Sequence, residues 1–259
     1  MKKYFRIWWM MSKNSFSIVL GQKYALIMFL IGKVFRFSLF FLFIYFLLKG
    51  TGSLAGYTSN QIIFFFLTFN LIDVITQFLF REVYGFRQMI VKGDFDLVLV
   101  KPISPLFRSL MGGSDIIDFI TIPPLIVLTI IYAVNLHPTF IGVITYLILV
   151  INSLLIATAF SIAILALAII TLEIDHAVMI YRDVTNLGKF PVDIYKEPLK
   201  GLLTYIIPVG VMMTFPAKAL MGLTNIFVII ISLIIGVVAM FLALKFWKFA
   251  LTKYTSASS

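Results

Sequence analysis

Six apolar runs, each about as long as a bilayer is thick, constrain this chain more than any other feature. They cover residues 24–48, 61–80, 114–135, 139–171, 198–215 and 225–245. A spanning helix needs roughly 20 mostly apolar residues, because lipid offers no partner to an open backbone amide. The fourth run exceeds one crossing, so it is expected to tilt or to continue past the membrane. Composition agrees: 61% of the 259 residues are hydrophobic and 12% are charged, against about 25% charged in a soluble chain. The expectation is an all-α integral membrane protein, a single transmembrane domain over residues 1–259 with about six spanning helices.

The formal net charge of +10 would point to nucleic acid in a soluble protein. Here its placement reports topology instead, and no nucleic-acid partner is expected. Lys2, Lys3, Arg6, Lys13 and Lys23 precede the first run, and Arg81, Arg87, Lys92, Lys101 and Arg108 follow the second. Arg182, Lys189, Lys196 and Lys200 follow the fourth, and Lys248 and Lys253 follow the last. The other connections hold only Lys49 and Lys218. The positive-inside rule then places both termini in the cytosol, with residues 81–113 and 172–197 as cytosolic loops. A bacterial plasma (inner) membrane is the default location. Cysteine is absent, which removes disulfides and thiolate metal sites. No cleavable leader is read, since the first apolar run starts late and is too long for one.

Residues 1–22 read as an amphipathic helix lying on the membrane. Lys2, Arg6 and Lys13 share one side, while Tyr4, Trp8, Met11 and Ile18 share the other. Lys33 and Arg36 fall inside the first span, where charge is expensive. In the second span Asn70, Asp73 and Gln77 share a face, and they either line a translocation path or hydrogen-bond to a neighbouring helix. The third span opens with Ser114 as a cap, then Asp115 and Asp118 in the first turns. Pro123 and Pro124 predict a kink there. Pro208, Gly210 and Pro216 break the fifth run, so a broken or re-entrant element is expected at that place.

The island at residues 81–108, REVYGFRQMIVKGDFDLVLVKPISPLFR, packs charge and turn residues between two spans. Residues 84–92 predict a short helix, stopped by Gly93. Arg87 and Lys92 lie on it, and Asp94 and Asp96 beside it. Lys101-Pro102 and Pro105 stiffen the path to the third span. Such a loop suits docking to a cytosolic protein. Nucleotide-binding signals are missing: Gly32-Lys33 runs into Val34, and Gly188-Lys189 into Phe190, without the hydroxyl that a phosphate loop uses for magnesium. Glu173, Asp175 and His176 lack metal-site spacing, and no metal or catalytic residue is expected.

The string GDFDLVLVKPISPLF at residues 93–107 resembles a pattern in permease subunits of ABC type-2 exporters, in a branch described only as an ABC transport system permease. FPVDIY at residues 190–195, TYIIPVG and FPAKALMG within residues 204–222, and the KYTSASS end are similar in the same order. The end departs from the pattern, with Ala257 and Ser258 where a glycine is usual. The resemblance implies six spanning helices, a pathway made by two permeases, and two copies of a separate ATPase. It also implies that Tyr84, Arg87, Lys92, Gly93, Asp94, Asp96, Lys101 and Pro102 belong to a coupling loop seated on that ATPase. ATP and magnesium would bind there and no cofactor in this chain. The cargo expected is amphipathic: a lipid, a peptide or a drug-like molecule. Two other readings are a non-catalytic assembly or anchoring subunit and a membrane-embedded enzyme of lipid metabolism. The latter has only Asp94 and Asp96 as candidate acids.

Overall fold

Apolar helices that satisfy their own backbones are the outcome along the chain. The computed structural model describes residues 2–171 and 174–255. Among them the regular structure is helical: α1 (Lys2–Gly21), α2 (Lys23–Thr51), α3 (Ser59–Leu79), then short α4 (Phe86–Val91), α5 (Asp94–Leu99) and α6 (Pro105–Leu110). There follow α7 (Ile116–Val134), α8 (Phe140–Thr171) and α9 (Ile174–Asn186), then α10 (Leu199–Ile206), α11 (Gly210–Leu220) and α12 (Ile226–Thr252). Five of these, α2, α3, α7, α8 and α12, are long and apolar enough to cross a membrane.

α3 lies at the centre, with Phe64, Phe65, Phe69 and Ile72 fully enclosed. α8 and α12 form the most extensive helix pairing. Small residues permit it: a Cβ added at Gly236 would lie 2.0 Å from Asn152 Oδ1. The Asn152 amide donates to the Ser232 carbonyl at 2.9 Å. Close backbones plus one polar bridge are how helices associate without a hydrophobic drive between them.

Where a loop is expected at 172–197, the path after α8 contains a helix. α8 has 32 residues, about 48 Å of rise at 1.5 Å per residue. From its C-terminal end the chain turns back as α9 and runs along the bundle. Phe190 reaches the rings of Phe40, and Asp193 reaches Tyr57 in the loop between α2 and α3. Residues 174–194 therefore connect the two ends of the bundle. Glu173 and the tail residues Ala257 and Ser258 lie outside the described residues.

The broken element expected within the run at 198–215 is a hairpin. α10 and α11 meet at a 78° bend beside Pro208. Gly210 lets the limbs close, since a Cβ there would sit 3.0 Å from Thr204 Oγ1. Both limbs return to one carboxylate: Asp193 Oδ1 takes Lys200 at 3.0 Å and Oδ2 takes Lys218 at 2.7 Å. Pro216 is buried in α11. The tip packs at mid-height on α8, where Ser153 donates to the Met212 carbonyl at 2.6 Å.

α1 is amphipathic, but part of its apolar side faces protein. Tyr4 packs edge-on to Phe107 at 4.8 Å, Trp8 meets Phe78, and Ser12 bonds Ser114. With Ser114 so engaged, Asp115 caps α7 instead, accepting from the Ile117 amide at 2.8 Å.

Candidate functional site

The loop between α3 and α7 is a folded platform. A tight turn over Arg81–Gly85 leads into α4. Gly93 adopts φ +76°, a left-handed conformation that favours glycine, and separates α4 from α5. Phe86, Ile90, Phe95 and Val98 are buried. They anchor the platform to the end of α12, where Phe95 faces Trp247 and Tyr254. Tyr254 donates to Asp96 Oδ1 at 2.8 Å. Burial, then the hydrogen bond to Asp96 and its negative charge, push that phenol up to about 12.

Two ion pairs lock the other side. Arg108 meets Glu82 at 2.6 Å and Arg81 meets Asp115 at 3.3 Å. Gly112 sits against the first pair, leaving no room for a side chain: an added Cβ would lie 2.1 Å from Arg108 Nη1. Lys3 on α1 donates to the Pro102 carbonyl at 2.9 Å.

What remains on the outside is a mixed face. Arg87, Gln88, Lys92, Asp94 and Lys101 are exposed, along with Val91, Leu97 and Val100. A groove of about 510 Å³ runs between Gln88, Lys92, Asp94, Leu97 and Lys101. The sequence grouping of Tyr84, Arg87, Lys92, Gly93, Asp94, Asp96, Lys101 and Pro102 is thus brought together. Its members divide, however, into an outward set and an inward set. Asp96 faces Tyr254, and Tyr84 lies under the guanidinium groups of Arg81 and Arg182.

On α3 the polar residues bond within their own helix. The Asn70 amide donates to its own helix at Phe66 O, 2.7 Å, and Gln77 donates to Asp73 Oδ2 at 2.8 Å. Among the described residues none of the three hydrogen-bonds to another helix. Asn70 and Asp73 instead line a small cleft of about 90 Å³ with Arg36 and Phe40 from α2 and Arg182 and Lys189 from the α9 segment. Lys33 is separate from it. It pairs with Asp118 at 2.5 Å and donates to Thr121 at 2.9 Å.

The Asp193 latch went unnoticed in the sequence. Burial alone would raise this carboxyl, but hydrogen bonds from Lys218, Lys200 and Tyr57 outweigh it and hold it below the usual carboxylate range. The Tyr57 phenol is pushed up by burial and by Asp193. A loop of 26 residues without structure was the available warning, since unstructured connections beyond about 12–15 residues are uncommon in compact folds.

An aromatic-anchored platform on an all-helical membrane bundle is the setting in which the family comparison falls. The model of the ABC-2 family transporter protein matches residues 34–258. The chain belongs to that family. It is a multi-pass membrane permease subunit of an ABC transporter, and the family's role is transport. ABC-2 permeases generally work with an ABC ATPase. No curated protein and no solved structure matches the chain.

Proposed function

We propose that this ABC-2 permease pairs with a second permease, identical or related, and with two separate ATPase subunits. Together they export an amphipathic cargo by alternating access. The observation that carries the reading is the platform at residues 81–110. Its outer face is mixed in charge with exposed apolar residues, and its inner face is bolted to α8 and α12. Contact through Arg87, Lys92, Asp94 and Lys101 would receive ATP-driven motion in the partner. The buried aromatic anchors would then pass it on as a rigid displacement rather than a loop deformation.

The basic platform and the Lys-rich ends favour a cytosolic side for residues 81–110 and for both termini, in a bacterial plasma membrane. The Asp193 latch then lies at the outer side, and residues 174–194 supply the crossing between. In this arrangement α10 and α11 form a re-entrant hairpin from the outside, backed by protein where its backbone departs from regular α-helix. ATP and magnesium bind on the partner. The test is reconstitution with the ATPase in vesicles: ATP hydrolysis should fall with Arg87→Glu/Lys92→Glu, while the assembled permease pair persists.

A further inference from the structure

The cleft between α2, α3 and α9 holds an unusual balance of charge. Arg36, Arg182 and Lys189 line it with a single carboxylate, Asp73. That carboxylate already accepts from Gln77. Among the described residues none of the three cations is within ion-pair distance of a carboxylate. The contrast with Lys33 is direct, because that cation is fully paired with Asp118. Charge at membrane depth is costly and is retained where it meets a partner or a pathway.

The cations are positioned rather than loose. The Lys189 ammonium lies 5.7 Å from the Phe40 ring, and Arg36 lies 5.8 Å from Phe37. Phe40 stacks on Phe66 at 4.6 Å, making one apolar wall. α3 forms the floor with buried Phe69 and Asn70, and Arg36, Arg182 and Asn186 form an exposed rim. The volume of the cleft is about 90 Å³. It is well below the about 300–1,000 Å³ of a site that swallows a drug-sized ligand.

From these features we infer that the cleft is a binding site for the anionic group of the cargo, a phosphate-type or carboxylate head, with the apolar remainder left outside against lipid. Two guanidinium groups and an ammonium suit such an oxyanion, since arginine matches it with paired donors. The inference rests on the permease reading and names its substrate class. Its assay contains no ATPase, so failure here would leave that reading standing.

The experiment uses the full chain in phosphatidylcholine nanodiscs and two fluorescent probes with identical short acyl chains, phosphatidic acid and diacylglycerol. Phosphatidic acid should bind at least about tenfold tighter, a modest preference for charge-assisted contacts. Arg182→Gln/Lys189→Gln should abolish the preference. Asp73→Asn removes the one opposing charge and should tighten phosphatidic acid several-fold, a gain that misfolding cannot produce. Inorganic phosphate is the competitor. Displacement assigns the site to a free oxyanion, and lack of displacement assigns it to a lipid-borne head; both uphold an anion site. Equal affinity for the two probes, or a preference that survives the double substitution, overturns it. If the double variant does not fold, Asp73→Asn decides, and unchanged or weaker binding overturns the inference.

Discussion

Tyr254 and Asp96, 158 positions apart, are joined by a hydrogen bond of 2.8 Å that ties the end of α12 to the middle of the platform. The Phe95 ring packs edge-on to Tyr254, and Phe86 and Trp247 pack in turn on Phe95. The platform is therefore joined to α12 by a hydrogen bond and by ring packing.

Tyr254→Phe should keep the ring packing and remove only the bond. The expected cost is about 1.5–3 kcal/mol for a hydrogen bond to a charged group, read as a lower melting temperature in nanodiscs. ATP hydrolysis should become partly uncoupled from transport. The phenol's raised value of about 12 fixes the pH range. The contribution is full below the unfolded tyrosine value of about 10 and is lost as pH rises through the folded value. Melting of wild type and variant should converge only at that alkaline extreme.

Asp193→Asn should loosen the hairpin by roughly 2 kcal/mol, because it weakens charge-assisted bonds from Lys200 and Lys218 together. The wild-type carboxyl is held below the ordinary range. Its contribution is therefore full at neutral pH and declines as pH falls below about 4 toward the folded value. The thermal difference between wild type and Asp193→Asn should shrink over that acidic range and stay constant from pH 6 to 8.

Lys33→Met leaves Asp118 enclosed without its cation, and breaking a buried pair costs about 3–5 kcal/mol. Expression and melting temperature should both fall. The double variant Lys33→Met/Asp118→Leu should recover most of the loss, because it removes the stranded charge. Recovery would mark the pair as structural, in contrast to the cations of the cleft.

Gly236→Ala places a methyl 2.0 Å from Asn152 Oδ1. The bridge to Ser232 must break or α12 must move away from α8. Overpacking of this kind costs about 1–3 kcal/mol. Gly236→Ala/Asn152→Ala should be less destabilised than Gly236→Ala alone.

Much of this architecture was legible in the sequence because hydrophobic length translates directly into helices. The runs at 24–48, 61–80, 114–135, 139–171 and 225–245 meet helices whose bounds differ by a turn or two at most. Gly93 marked the break in the platform through a conformation that favours glycine, and Pro208 with Gly210 marked the break in the hairpin. Residues 172–197 misled because their charges read as solvated. Arg182 and Lys189 instead face a cleft, and Asp193 is neutralised by two lysines from one hairpin, a pairing that only the folded chain brings together. Asp96 read as a docking charge because its tyrosine partner lies at the far end of the sequence. The cleft was half visible: Asn70 and Asp73 were identified on α3, but their cationic neighbours come from two other elements.

The most direct test of the account is purification of the tagged permease from its native membrane under mild solubilisation, with mass spectrometry of what accompanies it. A stoichiometric ABC ATPase is expected with the wild type, and its loss is expected with Arg87→Glu/Lys92→Glu while the permease stays folded. An ATPase retained undiminished by that variant, or no ATPase with the wild type, would contradict the assignment of residues 81–110 as the coupling platform.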